Sequence, residues 1–328
     1  MTRNLGTRLL QAAALGTTGV ALTGGALAGV LMTEAKLARH WVGKPKGEPA
    51  FADGLYGSGP GRQLTMAMLG DSMAAGLGVA TPEETPAALI AQGLSERANA
   101  PVRLTNVALV GAQSTDLDRQ VTLALAARAD VAMIMIGAND VTHRIQPSLS
   151  CAMLQAAVRR LREAGCEVVV GTCPDLGTIE PIAQPLRYLA RRWSRQLAAA
   201  QTIVVVENGG RTVSLGDLCA TAFVSNPREM FSDDRFHPSA AGYAAAAMAV
   251  LPSVCAALGF VPAAEIVIDP TREEEMLPVA IAAVEAVDRP GTEVAPVGAV
   301  RSDGGRRWAL LKHRRRHELP EDATANAA

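Results

Sequence analysis

Between residues 62 and 260 the chain alternates short, wholly apolar runs with segments whose apolar positions recur at helical spacing. The runs are LTMAML (64–69), VRLTNVAL (102–109), VAMIMI (131–136), EVVVGT (167–172) and TIVVVE (202–207), each of strand length and each followed by a helical pattern. Strands that are apolar on both faces and separated by helices belong to a parallel sheet covered on both sides. The pattern therefore predicts a doubly wound α/β domain with a five-stranded parallel sheet, closed by an alanine-rich helix from about Ser239 to Leu258.

The flanks read differently. Arg3 and Arg8 precede Leu9–Met32, 24 residues without a charged side chain. That stretch exceeds the apolar region of a secretory signal and is long enough to span a bilayer, which favours an uncleaved anchor. Ala26-Leu27-Ala28 has the small-x-small form of a signal cleavage site, so residues 1–32 are read as a signal anchor or a signal peptide. Lys36, Arg39, Lys44 and Lys46 outnumber the two upstream arginines, a bias that opposes export. A short tail followed directly by an apolar run favours it, and the expectation is an exported domain tethered to the membrane through residues 9–32, or secreted if cleaved. Residues 33–61, rich in glycine and proline towards their end, read as a linker. Residues 261–328, with one short helical piece among proline and charge, read as a mostly disordered tail.

Composition narrows the function. With 49% hydrophobic and 19% charged residues the chain can bury a sizeable core, and with only 3% aromatics it lacks the stacking platforms of a nucleic-acid binder. The net charge of −1 conceals a basic segment, 301–317, with seven Arg or Lys against one Asp. Such a segment is a candidate for docking on an anionic envelope surface. Cys151, Cys166, Cys173, Cys219 and Cys255 form no C-x-x-C pair and have no histidine at ligand spacing, so neither a metal nor a redox cofactor is expected. Their odd number allows at most two bridges.

In an open α/β sheet, reactive groups sit in the loops beyond the carboxyl ends of the strands. Asp71 and Ser72 follow the first run, Gly111 the second, Asn139 and Asp140 the third, and SDDRFHPS lies ahead of the last helix. A serine hydroxyl becomes a nucleophile when a base removes its proton and a carboxylate orients that base. His237 is the candidate base, and Asp234, three residues earlier, can reach its other ring nitrogen across one turn; Asp233 is the rival carboxylate. The backbone amides of Ser72 and Gly111 and the side-chain amide of Asn139 are candidate oxyanion donors. Asp71 is expected to hold the loop by hydrogen bonds. Taken singly, Ser72 reads as a helix N-cap, His237 as a core histidine and Asn139-Asp140 as a turn.

Together GDS (70–72), NVALVG (106–111), GAND (137–140) and DRFH (234–237) resemble the four ordered blocks of the SGNH hydrolases of GDSL type, and in layout the chain resembles that family's exported actinobacterial esterases. The resemblance covers about residues 62–260. It implies a flavodoxin-like sheet and hydrolysis of carboxylic esters or thioesters through an acyl-enzyme, with Ser72 as nucleophile, His237 as base, Asp234 as its partner, and Ser72, Gly111 and Asn139 as the oxyanion hole. With no spare segment for a lid, short acyl chains are expected, on small-molecule, lipid or glycan esters. An acyltransferase or deacetylase acting on sugar or lipid hydroxyls is the closest alternative, and an inactive envelope scaffold the non-enzymatic one. A metallophosphoesterase would need more histidines, and an α/β-hydrolase elbow would need glycine where Ala74 stands.

Overall fold

A computed structural model describes residues 33–34, 47–179, 181–215, 223, 225–260, 274–288, 292–297 and 308–313. The expected membrane segment, residues 9–32, lies outside these, as do Cys219 and the basic segment apart from 308–313.

The chain enters through a short strand β1 (Gly54–Tyr56), then β2 (Leu64–Gly70), α1 (Ser72–Ala75), α2 (Pro86–Ala98), β3 (Val102–Asn106), α3 (Leu117–Ala126) and β4 (Val131–Met135). It continues through α4 (Ala138–Thr142), α5 (Pro147–Glu163), β5 (Glu167–Gly171), α6 (Leu186–Glu207), β6 (Arg211–Val213), α7 (Pro227–Met230) and α8 (Ala240–Ala257). The last described elements are β7 (Glu274–Pro278), α9 (Val279–Asp288), β8 (Thr292–Pro296) and β9 (Trp308–His313). One mixed sheet runs β1-β3-β2-β4-β5-β6-β8-β9-β7, and its five central strands, β3, β2, β4, β5 and β6, are mutually parallel.

Alternation along the strands feeds two cores. On β2, Met66 and Met68 join Ile90 and Leu94 of α2 and Val250 and Val254 of α8; Ala67 and Leu69 join Val121 of α3 and Leu154 and Leu161 of α5 on the other face. Helix α8 is the one described helix apolar and long enough to cross a bilayer. Its buried Tyr243, Val250 and Val254 instead make it the cover of one sheet face. Cys151, Cys166 and Cys173 are buried free thiols, and burial pushes the first two up to about 11 and about 12.

Three expectations are corrected. The run TIVVVE (202–207) is not the fifth strand but the last turns of the 22-residue α6; that strand is Arg211–Val213. Its β-branched residues read as strand, yet the buried positions of α6, Leu197, Ala198, Gln201, Thr202, Val205 and Val206, follow the helical period, and packing overrides propensity. The supposed linker contributes β1, which pairs antiparallel with β3 while the Asp53 carboxylate accepts the Asn106 amide. The supposed tail supplies β7, α9, β8 and β9, joined to the sheet by antiparallel pairing of β8 with β6. Val279, Ala282, Val294 and Leu311 close a small core against Val206 of α6, and Arg211 pairs with the buried Glu293 at 2.8 Å. These strands are short and flanked by proline or charge, so their partner backbone, not their own pattern, makes them strands.

Candidate active site

The first parallel strand ends at Gly70, whose φ is +137° and whose missing Cβ would lie 1.9 Å from the carbonyl oxygen of Met135. Only glycine fits there, and the turn it permits lifts Ser72 to the start of α1. Asp71 caps that helix, its Oδ1 accepting the Met73 amide at 3.0 Å, so its expected loop-holding role matches its geometry. As the first residue of α1, Ser72 has a backbone N–H with no intrahelical acceptor.

His237 and Asp234 come from the turn between α7 and α8. One carboxylate oxygen of Asp234 accepts from the Ser232 hydroxyl at 2.8 Å and from the amides of Phe236 and His237 at 2.9 Å each. The other meets His237 Nδ1 at 2.6 Å. Burial alone would raise the Asp234 carboxyl, but the bonds from the His237 ring and amide and from Phe236 outweigh it and hold the group at about 2. A carboxylate fixed as an anion at Nδ1 leaves Nε2 as the acceptor end of the ring, and Nε2 lies 3.0 Å from Ser72 Oγ. All three side chains are buried. Asp233, the rival, is exposed, and it is Asp234 that contacts the ring.

Gly111 and Asn139 stand on the neighbouring loops. Gly111, exposed at φ +81°, sits in a loop pinned to the Ser72 turn by the bond from Leu109 N–H to Gly70 O at 3.1 Å. Asn139 Nδ2 donates to Ala112 O at 3.0 Å, which ties the third block to the second and leaves its second N–H for another acceptor. Asp140, buried beside it, accepts from Ser114 N–H at 3.0 Å, from Ser114 Oγ at 2.5 Å and from Ser150 Oγ at 2.7 Å, locking both loops to α5.

Several supporting residues carry no obvious mark in the sequence. Gln120 donates from Nε2 to Gly70 O at 2.9 Å and accepts Gly70 N–H at Oε1 at 2.7 Å, as a neighbouring strand would. Gln201 does the same between the ends of β4 and β5, accepting Cys173 N–H at 2.7 Å and donating to Ile136 O at 3.0 Å. Each thus satisfies backbone groups at the strand ends with a side-chain amide. Their signal in the sequence is a glutamine on an otherwise apolar helical stripe, Leu117, Gln120, Val121, Ala124 and Leu197, Ala198, Gln201, Val205. Tyr243, fully buried in α8, donates to Leu77 O at 2.7 Å and so ties the histidine-bearing segment to the turn after α1.

Burial also pushes the Asp71 carboxyl up to about 7, against the opposing pull of the Met73 amide and His237. A folded-state value above the unfolded one gives stability that is present below about pH 4 and is lost as pH rises through about 7. The shift corresponds to on the order of 4 kcal/mol. Asp71→Asn keeps the acceptor for Met73 but cannot ionise, so its denaturant midpoint should fall less than that of the unsubstituted protein between pH 4 and pH 8. Parallel stability curves for the two proteins would contradict the assignment.

A hydroxyl, an imidazole and a buried carboxylate in hydrogen-bonded series, at the carboxyl end of a parallel sheet, form the arrangement of a serine hydrolase. The chain belongs to the GDSL-like lipase/acylhydrolase family, whose profile matches residues 68–245. It is 44% identical over 251 residues to the GDSL-like esterase Rv1075c of Mycobacterium tuberculosis, covering 73% of this chain and 79% of that protein. Among solved structures, TesA aligns at 21% identity and a TM-score of 0.45, over 60% of this chain and 98% of its own. A catalytic mutant of Axe2, an acetylxylan esterase from Geobacillus stearothermophilus, aligns at 21% identity and a TM-score of 0.45, over 62% and 98%.

Proposed function

We propose that the protein hydrolyses short-chain carboxylic esters or thioesters through an acyl-enzyme on Ser72, outside the cytoplasmic membrane. The reading is carried by the continuous series Ser72 Oγ, His237 Nε2, His237 Nδ1 and Asp234 Oδ2, with contacts of 3.0 and 2.6 Å. Ser72 Oγ attacks the carbonyl carbon as its proton passes to Nε2, and Asp234 stabilises the imidazolium that forms. The amides of Ser72 and Gly111 and the remaining N–H of Asn139 receive the oxyanion. Collapse expels the alcohol or thiol, which takes the proton from Nε2; water repeats the sequence and releases the acid.

The chain from β2 to α8 is close to the minimum for five parallel strands and their helices. A shallow site gains little from each added methylene, worth about 0.8 kcal/mol only when buried. With p-nitrophenyl esters of graded length, kcat/KM should peak within the first few carbons and fall thereafter. A maximum on long-chain esters, measured below their micelle concentration, counts against the short-chain reading, and an absence of turnover on every length counts against the esterase. Export rests on the uncharged 9–32 stretch. A periplasm-active phosphatase fused after residue 60 should therefore be active, and activity confined to a cytoplasmic reporter would reverse the assignment.

A further inference from the structure

The two ends of the parallel sheet differ in what they expose. At the amino ends of the strands the loops 99–101, 127–130, 164–166 and 208–210 contain none of the described exposed large apolar side chains. The crevice end, by contrast, is ringed by Phe51 before β1, Leu109 and Val110 after β3, Leu149 at the start of α5 and Tyr188 at the start of α6, each between 45% and 77% exposed. Apolar side chains scattered over a surface are ordinary, but a ring of them around one crevice marks an interaction face.

Three further observations bear on what covers this end. Glu34, two residues beyond the uncharged stretch Leu9–Met32, is buried, and its Oε2 accepts the Leu186 amide at 2.9 Å. The chain thus arrives from that stretch at the amino end of α6, which is the crevice end because α6 follows β5. At the other terminus, β8 runs antiparallel to β6 and Ser214 N–H donates to Thr292 O, so Thr292 and its partner His313 lie at the crevice end too. From His313 the sequence continues into Arg314-Arg315-Arg316. Finally, Arg144, Arg192, Arg228 and Arg235, all exposed, accompany the apolar ring, against the exposed Glu83, Glu229 and Asp233.

We infer that the crevice end is a docking face for an anionic phospholipid bilayer, with the apolar ring entering the interface, the arginines meeting the head groups and Ser72 directed towards the membrane. Apolar side chains flanked by cations suit the boundary between acyl chains and anionic head groups. The uncharged stretch ends two residues before Glu34, whose contact with Leu186 stands at this face and not the opposite one. For the substrate, the inference rests on the esterase reading: it selects esters carried by membrane-resident molecules. The docking itself does not depend on that reading.

The full chain, bound to vesicles of brominated phosphatidylglycerol, provides the test. Tyr188→Trp puts a fluorophore in the ring, and Leu123→Trp puts one on the half of α3 nearer the amino ends of the strands. Above the wild-type background, fluorescence from the Tyr188→Trp protein should be quenched at least twice as strongly as that from Leu123→Trp. Equal or weaker quenching at position 188 overturns the inference, and is the outcome if a second copy or residues 9–32 themselves cover this face. Hydrolysis of dissolved p-nitrophenyl acetate by the same proteins reads the site separately, so a failed esterase and a misplaced docking face give different results.

Discussion

Ser72→Ala should leave a folded protein whose kcat on p-nitrophenyl acetate is lower by at least about a thousandfold. The hydroxyl is the atom 3.0 Å from His237 Nε2, and no other hydroxyl contacts that nitrogen among the described residues. His237→Ala should lose as much, because residues that act in series fail together. Asp234→Asn should also be severe, since an amide in place of the carboxylate removes the anion at Nδ1 and favours the wrong tautomer. Asp233→Asn should change kcat little. Asn139→Ala should cost about 3–4 kcal/mol, expressed in kcat with KM nearly constant. Near-normal turnover by Ser72→Ala at an unchanged melting temperature would remove the nucleophile from the scheme, and a reversal of the two aspartates would move the carboxylate.

Gly70→Ala should be the most damaging single methyl group in the described part of the Ser72 turn. The added carbon would stand 1.9 Å from Met135 O and 2.9 Å from Ala74 Cβ, and neither the carbonyl of a central strand nor a helix pinned by Asp71 can retreat. Strain at φ +137° adds to the clash. The expected loss is at least about 3 kcal/mol, a fall in Tm of roughly 10 °C for a domain of this size. Gly111→Ala is the contrast: φ is again positive, +81°, but a Cβ there meets nothing within 4 Å, so the strain is felt without collision. Thermal unfolding of both variants separates the two effects, and equal Tm values would mean that the β2–β4 contact yields.

Much of this is legible in the sequence because the candidate catalytic groups stand at strand ends. Ser72, Asn139 and His237 each stand where a pattern breaks, and a sheet gathers its strand ends at one crevice, where Ser72 and His237 meet. Spacing favours Asp234 over Asp233, and the structure brings Asp234 against the ring. What the sequence hides is of two kinds. The strands at 274–278, 292–296 and 308–313 depend on an edge already formed by β6, and a few residues among proline and charge carry no period of their own. TIVVVE misleads in the opposite sense, since its valines favour a strand locally and a packed helix globally. Gln120 and Gln201 look like ordinary helix residues because their role is to imitate a strand.

The relay divides unequally along the chain. Histidine and carboxylate meet across three residues, within one tight turn that supplies its own donors, whereas serine and histidine meet across 165. The first contact is a property of a short peptide loop, and the second exists only when α8 is seated on the sheet. Partial opening at the α8 edge would therefore disarm the hydroxyl while leaving base and acid correctly paired. Such a form would be chemically silent yet able to rearm without rebuilding its acid–base pair, so inactivation through this route should reverse as quickly as the helix reseats.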